Sequence, residues 1–221
     1  MAERRRPTRQ ERREQIVSVA LATVATHGVR GTTLTRIAAG VGITYPALYA
    51  HFRNRNEILI AALDLLFDRI RETRRLTYRE NALEHLREMG LAHTRLVASA
   101  EEGFVFPLFE FIAASPEDDL REALRAREMV LVEELAGIAR RGQREGTIKK
   151  EADPEQIAWM FVSRAWTEDI AALMGVSAHW NERRSNQMLD LILNSIAVRE
   201  PSAAEQVAEG APAQEKTLAP S

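Results

Sequence analysis

The chain contains no cysteine, which excludes disulfide bonds, thiolate nucleophiles and cysteine-ligated zinc together. No apolar run approaches the roughly 18 residues of a membrane-spanning helix. The first arginines precede no hydrophobic segment, which argues against a secretory signal. These absences predict a soluble, cytoplasmic protein that has no membrane partner.

Recognisable catalytic signatures are missing as well. The five histidines are scattered, and no G-x-S-x-G, H-E-x-x-H or phosphate-binding loop occurs. His85, Met89 and His93 recur at four-residue spacing, but they spread over two helical turns, which is too wide for one metal ion. The sequence therefore predicts no catalytic residue, no metal site and no cofactor.

Charge is distributed unevenly in a chain whose net charge is only −2. Residues 1–56 contain ten arginines and three glutamates, a balance of +7, so the remaining residues carry −9. A basic head on an acidic body is typical of proteins that bind a polyanion. A merely solvated arginine-rich terminus gives the same pattern, so charge alone leaves both interpretations open.

Apolar residues recur at helical spacing along most of the chain. Thr8 and Glu11 have the spacing of a capping box, and Gly28 ends the first helical segment. No alternating pattern of useful length predicts a strand, so we expect an all-α fold. The expected parts are a basic amino-terminal arm at 1–9, a helix-turn-helix domain at 10–56, a larger helical domain at 57–199 and a disordered tail at 200–221.

Residues 33–59, TLTRIAAGVGITYPALYAHFRNRNEIL, carry the most specific pattern. They predict two short helices joined by a turn at Gly42, with a capped third helix directly behind them. The Thr44 hydroxyl is expected to cap the second of these helices, and Pro46 falls in its first turn, where a missing amide costs little. Small and aromatic side chains then occupy the positions at which an inserted helix meets bases. This is the layout of a helix-turn-helix.

The quoted pieces HGVRGTTLTRIAAGVGIT and YPALYAHFRNRNEIL resemble the DNA-binding head of the tetracycline-repressor (TetR) family of bacterial regulators. The resemblance covers roughly residues 10–70 and fades after that. It implies a homodimer whose helical body binds a small-molecule inducer and a head that binds double-stranded operator DNA. It also implies repression of a nearby promoter and a fourth helix, from Asn54 to about Arg75, that moves as a pendulum between head and body.

The resemblance also assigns roles to residues of the head. Thr33 matches a phosphate-binding threonine, and Tyr49 and His51 match phosphate-contacting residues. Arg55 stands where the family has lysine, a change that keeps the charge. The base-facing stretch 44–47 lacks Arg, Asn and Gln, which favours apolar contact, the Tyr45 hydroxyl or DNA shape over bidentate base readout. The predicted DNA contacts are Arg4, Arg5, Arg6, Thr33, Thr35, Arg36, Thr44, Tyr45, Pro46, Ala47, Tyr49, His51 and Arg55.

The last two helices are predicted to carry apolar side chains on more than one face, which suggests burial both in the chain's own core and against a second copy. A wholly intramolecular core is the alternative. The predicted dimer contacts are Trp159, Val162, Met188, Leu189, Ile192 and Ile196.

The middle helices supply apolar and adaptable side chains for a ligand pocket, and Pro107 is expected to kink or break its helix. Glu110, Arg127, Arg164 and Glu168 either supply polar ends to the pocket or lie in water. We expect a mainly apolar inducer. The predicted lining is Met89, His93, Phe104, Phe106, Phe109, Met129, Met160, Phe161 and Trp166.

Two other functions remain compatible with the sequence. The first is a broadly binding architectural or activating DNA-binding protein that needs no inducer. The second belongs to another class, an all-helical enzyme or partner-binding module, and requires the basic head to be incidental. Footprinting separates the DNA-binding cases, since a few palindromic sites support a local repressor and broad coverage supports the architectural protein.

Overall fold

The computed structural model describes residues 7–99, 105–114 and 118–198. Over these ranges the chain is helical, and its single β-bridge joins Ile148 to Ala197. The all-α prediction is confirmed. The helices in the described ranges are α1 (Arg9–Gly31), α2 (Leu34–Val41), α3 (Tyr45–Leu48), α4 (Arg55–Arg75), α5 (Ala82–Ser99), α6 (Val105–Ala113), α7 (Asp118–Glu145), α8 (Pro154–Leu173) and α9 (Glu182–Ile196).

Helix α1 begins with the predicted capping box. The Glu11 amide donates to Thr8 Oγ1 at 3.2 Å, and the Thr8 amide donates to Glu11 Oε2 at 2.6 Å. Gly28 does not end the helix outright. It takes a φ of 68°, which kinks α1, and helical turns continue to Gly31. A side chain at position 28 would be strained by this φ, so glycine is required at the kink.

A first apolar core joins the amino-terminal helices to parts of the body. Ile16, Ile37, Leu48 and Leu63 are fully buried in it, and they come from α1, α2, α3 and α4. Phe111 of α6 packs in the same core. The apolar core of the head therefore continues past residue 56, along α4 and onto α6.

A second core lies between α5, α7, α8 and α9. It contains Val162, Leu189, Ile192 and Ile196, whose exposed fractions are 2%, 0%, 6% and 3%. The prediction of these four as dimer contacts is therefore wrong, because each side chain is already enclosed by its own chain. For these residues the intramolecular alternative holds.

Other apolar side chains of α8 and α9 do face outward. Trp166, Ile170 and Leu173 recur at helical spacing on α8, and each is about two fifths exposed. On α9, Met188 and Leu191 are exposed, and Trp159 is half-buried. The Trp159 and Trp166 rings meet edge to face, with centroids 6.1 Å apart. No helix in the described ranges is both long and apolar enough to pass through a bilayer.

Candidate nucleic-acid interface

The turn between α2 and α3 follows from its capping residues. Thr33 precedes α2, and its side chain accepts a hydrogen bond from the Arg36 amide at 3.3 Å. Gly42 ends α2 with a φ of 74°, a left-handed conformation that glycine adopts without steric cost. The Gly42 and Ile43 amides then donate to the carbonyl oxygens of Ala39 and Ala38. This turn directs α3 across α2, as a helix-turn-helix requires.

Thr44 precedes α3 as predicted, but its hydroxyl forms no capping bond, so the predicted role of that hydroxyl is wrong. A capping side chain accepts from the second or third amide of a helix. Pro46 occupies the second position and has no amide hydrogen. The third amide, on Ala47, donates to the Thr44 carbonyl oxygen at 3.0 Å instead.

Helix α3 divides its side chains between the core and solvent. Leu48 is 1% exposed and Phe52, just beyond the helix, is 3% exposed, so both anchor the helix to the first core. Tyr45 and Tyr49 point outward and are 44% and 50% exposed. The aromatic pair is thus presented to solvent on a rigid support.

The two tyrosines form a hydroxyl pair that the sequence analysis did not identify. Their oxygens are 2.8 Å apart, and the rings meet edge to face with centroids 5.5 Å apart. This hydrogen bond raises the pKa of Tyr49, so the Tyr49 hydroxyl remains protonated at neutral pH. One proton joins the two oxygens, which leaves the other for an acceptor outside the protein. The i, i+4 spacing of the tyrosines was the signal for this contact.

His51 lies beside the arginines of α1. Burial is the main cause that lowers the pKa of His51, and the charges of Arg9, Arg12 and Arg13 lower it further. At neutral pH His51 is therefore uncharged, and it can act toward phosphate only through hydrogen bonds. Its backbone oxygen accepts from Arg13 NH1 at 2.5 Å, which holds the end of α3 against α1.

Arg13 is a structural residue that sequence reasoning missed. Besides His51, its guanidinium contacts Glu57 Oε1 at 3.1 Å and lies 3.8 Å from the centroid of the Phe52 ring. Glu57 in turn accepts from the Arg53 amide at 2.8 Å. The resulting network joins α1, α4 and the turn after α3, and it fixes the orientation of the exposed side of α3 that carries Tyr45 and Tyr49.

The Arg55 side chain contacts the backbone of the head, and its predicted phosphate contact does not account for these bonds. Its Nε donates to the Thr32 carbonyl oxygen at 2.7 Å, and its NH2 donates to the Val29 carbonyl oxygen. The side chain is half-buried and connects the start of α4 to the end of α1. The structure thus gives Arg55 a role in holding the head together, and its contact with DNA stays a prediction.

The other predicted contacts surround the tyrosine pair. Ala47 is half-buried, and the Arg36 guanidinium donates to the Gly31 carbonyl oxygen at 2.6 Å. Arg4, Arg5 and Arg6 lie outside the described residues. The predicted contacts that are exposed in α2, in α3 and at their caps are Thr33, Thr35, Arg36, Thr44, Tyr45, Pro46 and Tyr49.

A cavity of about 90 Å³ lies in the body, bounded by α4, α5, α6, α7 and α8. Four predicted residues, Met89, His93, Phe161 and Trp166, line it. Met160 does not, because it is one position away from Phe161 on α8 and faces a separate groove with Trp159 and Met188.

Four further pocket predictions need correction or lie outside the described residues. Phe106 and Met129 are 43% and 44% exposed, so neither faces the cavity. Phe109 is half-buried but does not line the cavity. Phe104 lies outside the described residues. Composition located the aromatic-rich segment, but it did not show which helix faces point inward.

A network of charged residues occupies one end of this cavity. Arg164 and Glu168, which the sequence analysis left open between pocket and water, are each only 4% exposed. Arg164 NH1 lies 2.5 Å from Glu168 Oε1, and it also donates to Ser185 Oγ at 2.7 Å. Burial raises the pKa of Glu168, against the opposing effect of Arg164. The spacing of Arg164 and Glu168 was visible in the sequence, but their burial was not.

Comparison with known proteins identifies relatives of the amino-terminal helices. A sequence model described as bacterial regulatory proteins, TetR family, matches residues 16–62. The probable transcriptional regulator ArpR of Pseudomonas putida is 36% identical over 86 residues, 39% of this chain and 41% of that protein. The transcriptional repressor KstR2 of Mycobacterium tuberculosis is 38% identical over 85 residues, 37% of this chain and 42% of that protein. The chain thus matches about two fifths of the length of these relatives.

Structural comparison extends the likeness to the body. A TetR transcriptional regulator from Chloroflexus aurantiacus J-10-fl matches with a TM-score of 0.76 at 20% identity, over 86% of this chain and 98% of that one. At this identity the likeness shows the fold, which is that of a helix-turn-helix protein with a helical carboxy-terminal domain. Within that class, residues 16–62 match the TetR family of bacterial regulatory proteins, and the rest of the chain shares the fold of its solved members.

Proposed function

We propose that the protein is a transcriptional repressor that binds a near-palindromic operator as a homodimer and leaves it when a small molecule occupies the cavity. One observation carries the proposal. A rigidly supported helix presents the exposed Tyr45 and Tyr49 hydroxyl pair beside the capped start of α2.

Several groups on this face suit the phosphates of a duplex. The amides at the start of α2 carry partial positive charge, and Thr33 and Thr35 add hydroxyls. The paired tyrosines supply a proton donor. Arg36 adds a positive charge close by. These contacts would fix the depth and orientation of α3 in the major groove.

Base recognition by α3 would depend on contacts other than bidentate hydrogen bonds. Its exposed residues are Tyr45 and Pro46, with Thr44 just before them, and none is Arg, Asn or Gln. Such a helix can recognise the methyl groups of bases by apolar contact and a base edge through the Tyr45 hydroxyl. It can also recognise the shape of the duplex. The same observation favours the second candidate, a broadly binding DNA protein, and experiment must separate the two.

The exposed apolar surface of α8 and α9 supports a homodimer. Trp166, Ile170, Leu173, Met188 and Leu191 leave an apolar surface that a second copy would cover. Two helices from each chain would then form a four-helix bundle around a two-fold axis. A two-fold dimer places its recognition helices about 34–36 Å apart, or a multiple of that, on an operator with matching symmetry.

The cavity is lined by residues of two helices, α4 and α6, that also pack against the head. It is lined by Phe67 and Ile70 of α4 and by Leu108 of α6. Two residues beyond Leu108, Glu110 Oε2 accepts a hydrogen bond from the Val29 amide at 3.0 Å, at the kink of α1. A ligand that displaces α4 or α6 would change the head orientation, and it releases DNA if it favours a spacing that does not fit the operator.

Selection of bound fragments from random double-stranded DNA tests the proposal directly. We expect a small set of near-palindromic sequences with one half-site spacing, which the purified protein then shifts in a native gel. Recovery of sequences without symmetry across the whole pool would support the broadly binding alternative. Recovery of no sequence above background would contradict both forms of DNA binding.

A further inference from the structure

The turn after α3 brings three arginines of α1 close to one imidazole. Arg13 NH1 donates to the His51 backbone oxygen at 2.5 Å, and Arg9 NH2 donates to the Ala50 backbone oxygen at 3.3 Å. Arg12 precedes Arg13 on the same helix, and its charge also acts on the His51 ring. We call the group of Arg9, Arg12, Arg13 and His51 the basic corner.

The imidazole of the basic corner is held in a position that opposes its protonation. The His51 ring is half-buried, and its Nδ1 is enclosed without a hydrogen bond to any residue that the structure describes. Burial disfavours the charged ring, and the guanidinium groups of Arg9, Arg12 and Arg13 disfavour it further, so the pKa of His51 is lowered. In the DNA-free protein the ring therefore resists taking up a proton until the pH falls well below neutral.

The other ionisable groups around the corner keep one charge state in this pH range. Glu57 Oε1 accepts from Arg13 at 3.1 Å, and Glu57 Oε2 accepts from the Arg53 amide at 2.8 Å. The bond from the Arg53 amide is the main cause that lowers the pKa of Glu57, so this carboxylate stays ionised. The raised pKa of Tyr49 keeps its hydroxyl protonated, and arginine side chains remain charged. A change of charge here between neutral and mildly acidic pH therefore falls on His51.

The basic corner continues the surface that carries the proposed DNA contacts. Tyr49 and Ala50 directly precede His51, and both are exposed, as is Arg9. A phosphate of a duplex on this surface brings a negative charge to the arginines. That charge offsets their repulsion of an imidazolium, so it favours the protonated ring. A phosphodiester has no proton to give near neutral pH, so the proton comes from the solvent.

We propose that, below neutral pH, each head takes up a proton on His51 when it binds duplex DNA, so that binding tightens as the pH falls. This inference rests on the proposed DNA binding and adds its regulation by pH. The complex holds more protons than its separate components. By linkage, the binding constant then rises with the proton concentration.

Isothermal titration calorimetry measures the proton uptake directly. The full chain is titrated with a mixed-sequence duplex pool at low salt and about pH 6, in two buffers that differ in their heats of ionisation. A mixed pool suffices because contacts with phosphates do not depend on sequence and strengthen as salt is removed. The unmodified protein is expected to take up protons on binding, and the His51→Gln variant to take up fewer. Equal uptake by the two proteins, or none by either, would overturn the proposal.

Nuclear magnetic resonance tests the same step in the unmodified chain, so it does not depend on the folding of a variant. The ring signal of His51, assigned through the backbone, is followed against pH with and without the duplex pool. We expect the titration midpoint to lie at a higher pH in the complex. A midpoint that stays the same or moves to lower pH would contradict the uptake of a proton at this residue.

Fluorescence anisotropy then shows the effect on affinity. Between pH 7.5 and 5.5 the unmodified protein should bind the labelled pool more tightly, by at least about threefold, while the His51→Gln variant should show a smaller rise. His27→Gln is the matched control, because His27 is an exposed histidine near the other end of α1, and it should keep the full rise. The same rise in all three proteins would refute the role of His51.

Arg12→Gln tests why the ring is neutral without DNA. The variant lacks one of the charges that oppose protonation, so His51 of the DNA-free protein should titrate at a higher pH than in the unmodified chain. An unchanged midpoint would contradict the opposition by the arginines. Duplex binding without proton uptake refutes this inference alone, whereas no duplex binding at any pH refutes the proposed DNA binding as well.

Discussion

The head and the body of this protein place their charged groups in opposite ways. The head buries apolar side chains such as Ile16, Ile37 and Leu63. Among the arginines that the structure describes there, Arg9, Arg30, Arg36 and Arg53 are exposed. The body buries Arg164, Glu168 and Asp169 beside its cavity. Charge at the surface suits a large polyanion that remains in water. Charge inside a cavity suits a small ligand that must leave water, because buried groups interact more strongly and cost more when unmatched.

The largest expected effect comes from breaking the buried pair in the body. Arg164→Leu leaves Glu168 and Asp169 without their guanidinium, and removal of one member of a buried pair costs about 3–5 kcal/mol. Urea denaturation should show a decrease of this size in the free energy of unfolding. Arg87→Leu removes an exposed pair with Asp190 and should cost less than about 1 kcal/mol. Equal losses in the two variants would refute the contrast between buried and exposed charge.

The second effect concerns DNA binding by the head. Tyr49→Phe removes one hydroxyl of the exposed pair and should weaken operator binding by about tenfold, since a hydrogen bond to a charged group contributes about 1.5–3 kcal/mol. Fluorescence anisotropy with a labelled operator measures the loss, and thermal unfolding should be unchanged. Tyr78→Phe, at an exposed tyrosine outside the head, is the control.

The tyrosine pair should also be non-additive. Each hydroxyl orients the other at 2.8 Å, so Tyr45→Phe combined with Tyr49→Phe is expected to lose less affinity than the sum of the single losses. Strict additivity would show that the hydroxyls act independently of each other in the complex.

These two regions also differ in how far the sequence predicted them. In the head, caps and turn residues act over a few positions, so Thr8, Thr33 and Gly42 could be placed from local pattern alone. The failures there are also local, since Pro46 removed the amide that the Thr44 hydroxyl was expected to bind.

The body is organised by long-range packing, which periodicity does not encode. The apolar faces of α8 and α9 were recognised, but not which face a neighbouring helix would cover. Val162 and Leu189 were therefore assigned to a dimer, although they pack in the chain's own core. Asp169 and Glu128 were missed because acidic residues on a helix are ordinarily solvated, and only the assembled helices show them at a cavity.

A third prediction tests the connection between body and head. Glu110→Ala removes the acceptor of the Val29 amide at the kink of α1 and should lower the free energy of unfolding by about 1 kcal/mol. Operator affinity without ligand should fall a few-fold, because the head is then held less firmly. Glu122→Ala, which breaks an exposed pair with Arg125 on α7, is the control. Unchanged affinity in the Glu110 variant would argue against this route of coupling.

The smallest effect is a difference in pH dependence between the two regions. Burial raises the pKa of Glu168 above its ordinary value of 4.5, so the folded body holds that proton more tightly than the unfolded chain does. Its contribution to stability is complete below pH 4.5 and is lost as the pH rises through the raised pKa. Burial and neighbouring arginines lower the pKa of His51 below 6.5, so its contribution is present above pH 6.5 and lost as the pH falls.

Urea denaturation across this pH range separates the two contributions. The unmodified protein should lose stability as the pH rises above 4.5, and the Glu168→Gln variant should not show this loss. The unmodified protein should also lose stability as the pH falls below 6.5, and the His51→Gln variant should not show that loss. Parallel pH profiles for all three proteins would show that neither group titrates differently in the folded and unfolded chain.

The central claim is that the surface around α2 and α3 binds the phosphates of a duplex, and the salt dependence of binding by the full chain tests it most directly. On a duplex selected by the protein, the logarithm of the observed binding constant should fall linearly with the logarithm of salt concentration, by about 0.9 for each phosphate neutralised. No salt-sensitive binding to any double-stranded DNA would contradict the account.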